Sequence, residues 1–277
     1  MFNVSVATPL QHLLFLFLFV VAPIWDLYAT PKLKRNPTSE KKIRYYKTIC
    51  TWLWIASALA VVAIGLRPVF TISPSPGEIS WLLLHPWVRY VMEALIAILG
   101  IITVALPIGV IIWKKLTKRP RKYSSAAALK SFSYFFPATW TERRWWVFVS
   151  ITAGVCEEIV FRGFMLHYLH VFPWTLNLTL ALLISSVIFG LNHLYQGARG
   201  AAGTAIVGIL FGLLFLLTGN LLLPIIFHGV IDLRLLAILR PPADTPSWES
   251  TVERPSVRRT KIRLTGSSAI FFSQREH

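Results

Sequence analysis

Residues 139–170 read TWTERRWWVFVSITAGVCEEIVFRGFMLHYLH. Thr139-Trp140-Thr141-Glu142 is a capping-box pattern that starts a helix. Arg143, Arg144, Trp145 and Trp146 are the residue types that anchor a helix at a membrane–water interface. The apolar run that follows is interrupted by Glu157, Glu158 and Arg162. At 1.5 Å per residue, Glu157 lies about 18 Å along the helix, near the middle of a bilayer core about 30 Å thick. Each charge there costs about 2.5–3.5 kcal/mol on the insertion scale, so these three need partners. Glu158 and Arg162 are i and i+4 with the acid first, the favourable order for a pair on one helix face. Glu157 sits about 100° around the helix and is left to face something else.

The rest of the chain agrees with a membrane setting. Of 277 residues, 55% are hydrophobic and 14% charged, with mean hydropathy +0.60. Soluble domains average about 45–50% and about 25%, so a soluble enzyme and a disordered chain are both excluded. The expected fold is all-α, a polytopic membrane helix bundle of about seven transmembrane helices, with room for an eighth at roughly 20 residues per span. The spans read as 13–29, 48–66, 90–113, 145–170, 173–194, 201–217 and 220–239. The stretch 201–227 carries no formal charge, so one long span also fits there; Thr218-Gly219-Asn220 before Pro224 is a turn signal, and the two-span reading follows it. Met1–Leu10 has no basic residue, which argues for a retained first span over a secretory signal. A short interfacial helix is expected over 126–136.

The net charge of +16 is concentrated between spans. Lys32, Lys34, Arg35, Lys41, Lys42, Arg44 and Lys47 follow the first; Lys114, Lys115, Lys118, Arg119, Arg121, Lys122, Lys130, Arg143 and Arg144 follow the third; only Arg67 and Arg89 lie between the second and third. The positive-inside rule then puts the N-terminus outside and the C-terminus in the cytoplasm. Membrane lipids are the partners of this charge; no zinc-finger, homeodomain or RNP signature points to nucleic acid. Three regions are expected: N-terminal transmembrane helices with basic loops (1–138), a catalytic membrane core (139–240) and a disordered basic tail (241–277) rich in Pro, Ser, Thr and Arg. Cys50 and Cys156 exclude a disulfide scaffold or a cysteine-built metal site.

Two further helices carry polar residues into lipid. The fifth span ends Phe189-Gly190-Leu191-Asn192-His193, and the seventh contains His228-Gly229-Val230-Ile231-Asp232, again an i, i+4 pair. The economical arrangement is a single wet cavity shared by three helices. Peptide-bond hydrolysis needs a base for water, an oxyanion donor and an acid for the leaving amine; Glu157 suits the base and His228 the donor. His12, His85, His167, His170, Asp26 and Glu93 fall near span ends and read as interfacial. Cys156 reads as packing, and Gly208-x-x-x-Gly212 as a small-residue helix contact.

Glu157-Glu158-x-x-x-Arg162, Phe189-x-x-x-His193 and His228-x-x-x-Asp232, in this order on successive helices, resemble the CAAX-protease and bacteriocin-processing family of intramembrane proteases, relatives of the type II CAAX prenyl endopeptidase. The resemblance covers about 139–239. It implies an intramembrane endopeptidase of the bacterial plasma membrane acting on a membrane-associated peptide or protein, prenylated or CAAX-like in the eukaryotic case. It implies that Glu157 and His193 activate water, that His228 and Asp232 serve the oxyanion, that Glu158 and Arg162 form a structural ion pair, and that Phe189 packs beside the site. An ionised Asp232 cannot donate as an amide does, so its expected role is to orient His228, as in a triad. Two imidazoles and up to three carboxylates could also hold zinc or another divalent metal, with Glu157, His193 and His228 as candidate ligands. There is no His-Glu-x-x-His, and the metal-free glutamate–histidine reading, with no cofactor, is the one favoured. A non-catalytic scaffold or immunity protein, or an ion-coupled transporter, is the competing class. Oligomeric state is not legible. One tension stands: Glu157 counts to mid-membrane, His193 to the cytoplasmic end of its helix.

Overall fold

The computed structural model describes residues 4–72, scattered positions between 87 and 116, 134–171 and 174–238. Among these every named element is a helix. Helix α1 (Val4–Leu16) passes through a π-helical turn (Phe17–Val21) into α2 (Ala22–Arg35); α3 (Ser39–Ile64) and the short α4 (Leu66–Phe70) follow. After the sparsely described region come α5 (Trp140–Glu158), a π-helical stretch (Ile159–Met165), α6 (Leu166–His170), α7 (Leu178–Leu191), a 3-10 turn (Leu194–Gln196), α8 (Gly197–Thr218) and α9 (Leu222–Ile238).

Among the described residues, three helical segments are long and apolar enough to cross a membrane: Pro9–Arg35, Ser39–Ile64 and Leu194–Thr218. They contain the expected spans 13–29, 48–66 (to Ile64) and 201–217. The expected span 90–113 and the interfacial helix over 126–136 fall largely outside the described residues, except that Tyr134–Phe136 form a turn and bend; the tail lies wholly outside them. Leu13, Ile24, Leu27, Trp54, Val62, Phe148, Ile151, Val187 and Ile206 are exposed. A large outward apolar surface is what a lipid environment requires.

Local signals explain the helix ends. Thr139 caps α5, accepting from Glu142 N (3.2 Å), while the Glu142 carboxylate reaches back to Ala138 N (2.6 Å), one residue earlier than in a regular capping box. Asn177 caps α7 by accepting from Leu180 N (2.9 Å). At 218–221 the chain breaks as its turn signal predicts: Gly219 takes the left-handed conformation at φ 70°, and its N–H closes α8 on Phe215 O (2.9 Å). A single long span across 201–227 is thereby excluded. The same turn pairs with 70–72, Ile72 N donating to Gly219 O (3.1 Å) and Leu221 N to Phe70 O (3.2 Å). These two connections share one end of the bundle, as the expected alternation of spans requires.

Two expectations are corrected. The basic segment after the first span is not a long loop: α2 runs to Arg35 and α3 begins at Ser39. The charged residues ride on helices that outlast the apolar stretch, where long side chains can keep their heads in water. Asp26 does not stand open at the end of its span. It lies inside α2, 8% exposed, and accepts from the Tyr45 hydroxyl of α3 and from Thr30 Oγ1.

The main apolar core joins α1, α3, the π-helical stretch, α6, α7 and α8, around Phe161, Phe164, Met165, Phe189 and Phe215. A second, aromatic cluster gathers Tyr45, Tyr46, Tyr134, Phe135 and Trp146. It clasps segment 134–138: Tyr46 donates to Phe135 O, Lys42 Nζ to Phe136 O (2.8 Å), and Lys42 pairs with Glu142 (3.3 Å).

Candidate active site

The site forms where α5, α7 and α9 meet. Two glycines bring α9 against α5: a Cβ on Gly154 would lie 2.8 Å from Gly229 N and 3.1 Å from Ile225 O. No side chain fits there, so backbone meets backbone, and His228, next to Gly229, arrives beside the Glu157-Glu158 pair. On the other side, Gly208 and Gly212 let α8 approach α7. A Cβ on Gly208 would meet Phe189 and Ser186, and one on Gly212 would lie 2.2 Å from Leu182. The small-residue spacing is a helix contact, as its sequence suggests.

Glu158 is fully buried and organises the interior. Its Oε1 accepts from Arg162 Nη1 (2.8 Å), the expected i, i+4 pair, and also from His228 Nδ1 (2.7 Å). Arg162 Nη2 donates to Gly208 O (3.2 Å), and its guanidinium lies 4.4 Å from the Phe189 ring centroid and 5.4 Å from that of Phe211. The cation is thus neutralised by one carboxylate and faced by two aromatic rings, the favourable surroundings for a charge out of water. Phe189 also touches the rings of His193 (4.8 Å) and His228 (6.1 Å).

Glu157 points the other way. Its Oε2 is buried without a hydrogen-bond partner, 3.9 Å from His193 Nε2 and 3.7 Å from His228 Nε2. These separations are too long for direct hydrogen bonds and suit one small molecule held between all three. His193 stands in the turn after α7, not in the helix, and its Nδ1 is 2.8 Å from Phe189 O. A carbonyl only accepts, so Nδ1 carries the proton and Nε2 presents its lone pair towards Glu157. That turn brings His193 to Glu157 despite their different counted depths.

Asp232 does not orient His228 as the sequence led us to expect. Its Oδ2 lies 3.8 Å from His228 Nε2, beyond a hydrogen bond, and the orienting carboxylate on Nδ1 is Glu158. The physical reason is that Glu158 projects from α5 across the glycine contact, while Asp232 lies one turn beyond His228 on α9 and faces the more open side, 31% exposed. The backbone carbonyl of Asp232 accepts from Trp146 Nε1 (3.2 Å). Phe211 and Tyr195 escaped the sequence reading. Phe211 shares the face marked by Gly208 and Gly212, and Tyr195 follows His193 by two residues; only the packing shows that their rings border the site (Phe211–His228 5.4 Å, Tyr195–His193 5.7 Å).

As a metal centre the donors are widely set. Zinc bonds of about 2.0–2.2 Å place tetrahedral ligands about 3.3 Å apart, against 3.7 and 3.9 Å around Glu157. Among the described residues no group of three or more His, Cys, Asp or Glu has metal-binding spacing.

The model of the family described as Rce1-like, type II CAAX prenyl endopeptidase Rce1-like, matches residues 139–234, less than half of the chain. No curated protein and no solved structure matches. The matched segment opens at the Thr139 cap and closes two residues after Asp232, so it holds every side chain that builds the site from Glu157 to Asp232. Residues 139–234 are thus similar to the type II CAAX prenyl endopeptidase Rce1-like family.

Proposed function

We propose that this integral membrane protein is an intramembrane endopeptidase that hydrolyses a peptide bond of a membrane-associated, CAAX-like or prenylated substrate with a water activated by Glu157. The supporting observation is the unpartnered, buried Glu157 Oε2 between two imidazole Nε2 atoms. Glu157 and the neutral His193 both present acceptors. A water between them donates one hydrogen to each and turns its own lone pair outward, towards a carbonyl carbon. As the C–O bond forms, Glu157 takes the water's proton; as the C–N bond breaks, it returns that proton to the leaving amine. His228, held through Nδ1 by Glu158, can carry a second proton on Nε2 and donate it to the developing oxyanion. Asp232, on the open side, supplies negative charge beside that imidazolium.

The charge alternation and the pairing of 70–72 with 219–221 at one end support an orientation with the N-terminus outside. The site then opens towards the cytoplasmic side through Asp232 and the turn at His193. The test uses protein reconstituted in liposomes with a farnesylated CAAX peptide and, in parallel, mass spectrometry of native membrane peptides. Wild type cleaves and Glu157→Gln does not, with an unchanged melting temperature. Equal cleavage by the two proteins, or solute flux without cleavage, refutes the proposal.

A further inference from the structure

Hydrolysis as proposed above calls for hydrogen-bond donors at the carbonyl oxygen, and the described side chains around Glu157 are poor in them. Glu157, Glu158 and Asp232 accept when ionised. Arg162 is committed to Glu158 and Gly208 O. His193 has spent its proton on Phe189 O and His228 its Nδ1–H on Glu158. His228 donates from Nε2 only when doubly protonated. Phe189 and Phe211 have no polar hydrogen.

Tyr195 is different. Its ring lies against that of His193 (5.7 Å) and is backed by Phe135 (5.5 Å), and its carbonyl is tied down by the Tyr134 hydroxyl (3.4 Å). The side chain is therefore braced on two sides. Its hydroxyl oxygen accepts from Gln196 Nε2 (3.1 Å). Thr204 Oγ1 lies 3.5 Å from Gln196 Oε1, and in this placement the NH2 of the amide faces the phenol. Tyr195 thus uses its oxygen as acceptor and keeps its own proton for another group. The phenol feels the negative charges of Asp26, Glu157 and Asp232.

We infer that Tyr195 is a catalytic residue, whose O–H donates a hydrogen bond to the scissile carbonyl oxygen as it becomes an oxyanion, alongside His228. The inference rests on the protease reading and adds to it a donor outside the Glu-Glu, His and His-Asp motifs. No proton need leave the phenol: the bond strengthens as negative charge grows on the oxygen and relaxes when the carbonyl re-forms.

Tyr195→Phe removes only the hydroxyl and keeps the ring that packs on His193 and Phe135. With the farnesylated CAAX peptide, kcat falls by on the order of 100-fold, as for loss of one oxyanion donor, while KM stays within about twofold, the signature of an interaction made only in the transition state. A peptide aldehyde, which hydrates to a tetrahedral mimic, loses affinity by a similar factor. Asp26→Asn separates this role from a structural one: if Tyr195 served only to satisfy Asp26, both variants would lose activity alike and the double variant would lose no more. Wild-type kcat in Tyr195→Phe, a rise confined to KM, or that shared loss with Asp26→Asn overturns the inference. Loss of cleavage in Glu157→Gln with full activity in Tyr195→Phe leaves the protease reading standing and removes this one. Persistence of cleavage in Glu157→Gln removes both.

Discussion

Arg162→Met separates what holds the bundle together from what makes it react. In the wild type the Glu158 carboxylate, wholly buried, accepts from Arg162 (2.8 Å) and His228 (2.7 Å) through one oxygen, while its Oε2 has no partner. Removing the guanidinium leaves that buried carboxylate with His228 as its one remaining donor and frees Gly208 O. Breaking a buried pair from one side costs about 3–5 kcal/mol, and the loss should appear as a lowered melting temperature of the detergent-solubilised protein, read by tryptophan fluorescence. Replacing both partners, Glu158→Met with Arg162→Met, leaves no stranded charge, and exchanging a buried pair for apolar residues of similar size is often neutral or better. The double variant should therefore recover most of the lost stability. Activity should not recover. His228 Nδ1 loses its acceptor, and by analogy with removal of an orienting carboxylate kcat falls by about 100-fold to 10⁴-fold. A double variant no more stable than Arg162→Met refutes the ion-pair account. One that cleaves at the wild-type rate refutes Glu158 as the residue that positions His228.

Three further outcomes follow from particular contacts. Gly154→Ala should cost about 1–3 kcal/mol through overpacking and depress kcat as α9 is pushed from α5, whereas Gly203→Ala, with nothing within 4 Å of its Cβ, should change neither; equal behaviour of the pair in melting and cleavage assays would falsify the glycine-contact argument. At Glu142, burial opposes the charge, but Ala138 N–H, Ser39 and Lys42 hold the carboxyl below the usual glutamate range. A lowered folded value gives stability that is complete above the unfolded value near about 4.3 and is lost as pH falls through the folded one, so hydrogen exchange at 134–138 should quicken in acid, and Glu142→Gln should abolish that pH dependence. Finally, dialysis against a chelator should leave peptide cleavage within about twofold, since hydrolysis as derived uses only acid–base groups; loss of activity restored by zinc would show that the site takes a metal.

The membrane character was legible because it needs no partner: apolar runs of span length, basic residues between them and a Gly-Asn turn are local facts. The Glu158–Arg162 pair was equally readable, since helix geometry alone sets i against i+4. Local reasoning failed where a second helix intervened. Asp26 was placed at an interface by its position near the end of an apolar run, yet Tyr45 of α3 and Thr30 hold it in the interior. The i, i+4 rule proposed Asp232 as the partner of His228, but α5 offered Glu158 at 2.7 Å. Nothing in the spacing of Tyr195 or Phe211 marked them, because aromatic residues are common in a membrane bundle.

The amino-acid order by itself determined an all-helical membrane protein with charged groups that lipid cannot tolerate unpaired, together with the helices from which they project. Tertiary structure alone decided which partner each group takes. Backbone contact at Gly154 and Gly229 sets how far His228 reaches, and the turn after α7 sets where His193 stands. The reason is physical: insertion into lipid depends on composition summed along a segment, whereas a hydrogen bond depends on a few tenths of an ångström between segments distant in the chain.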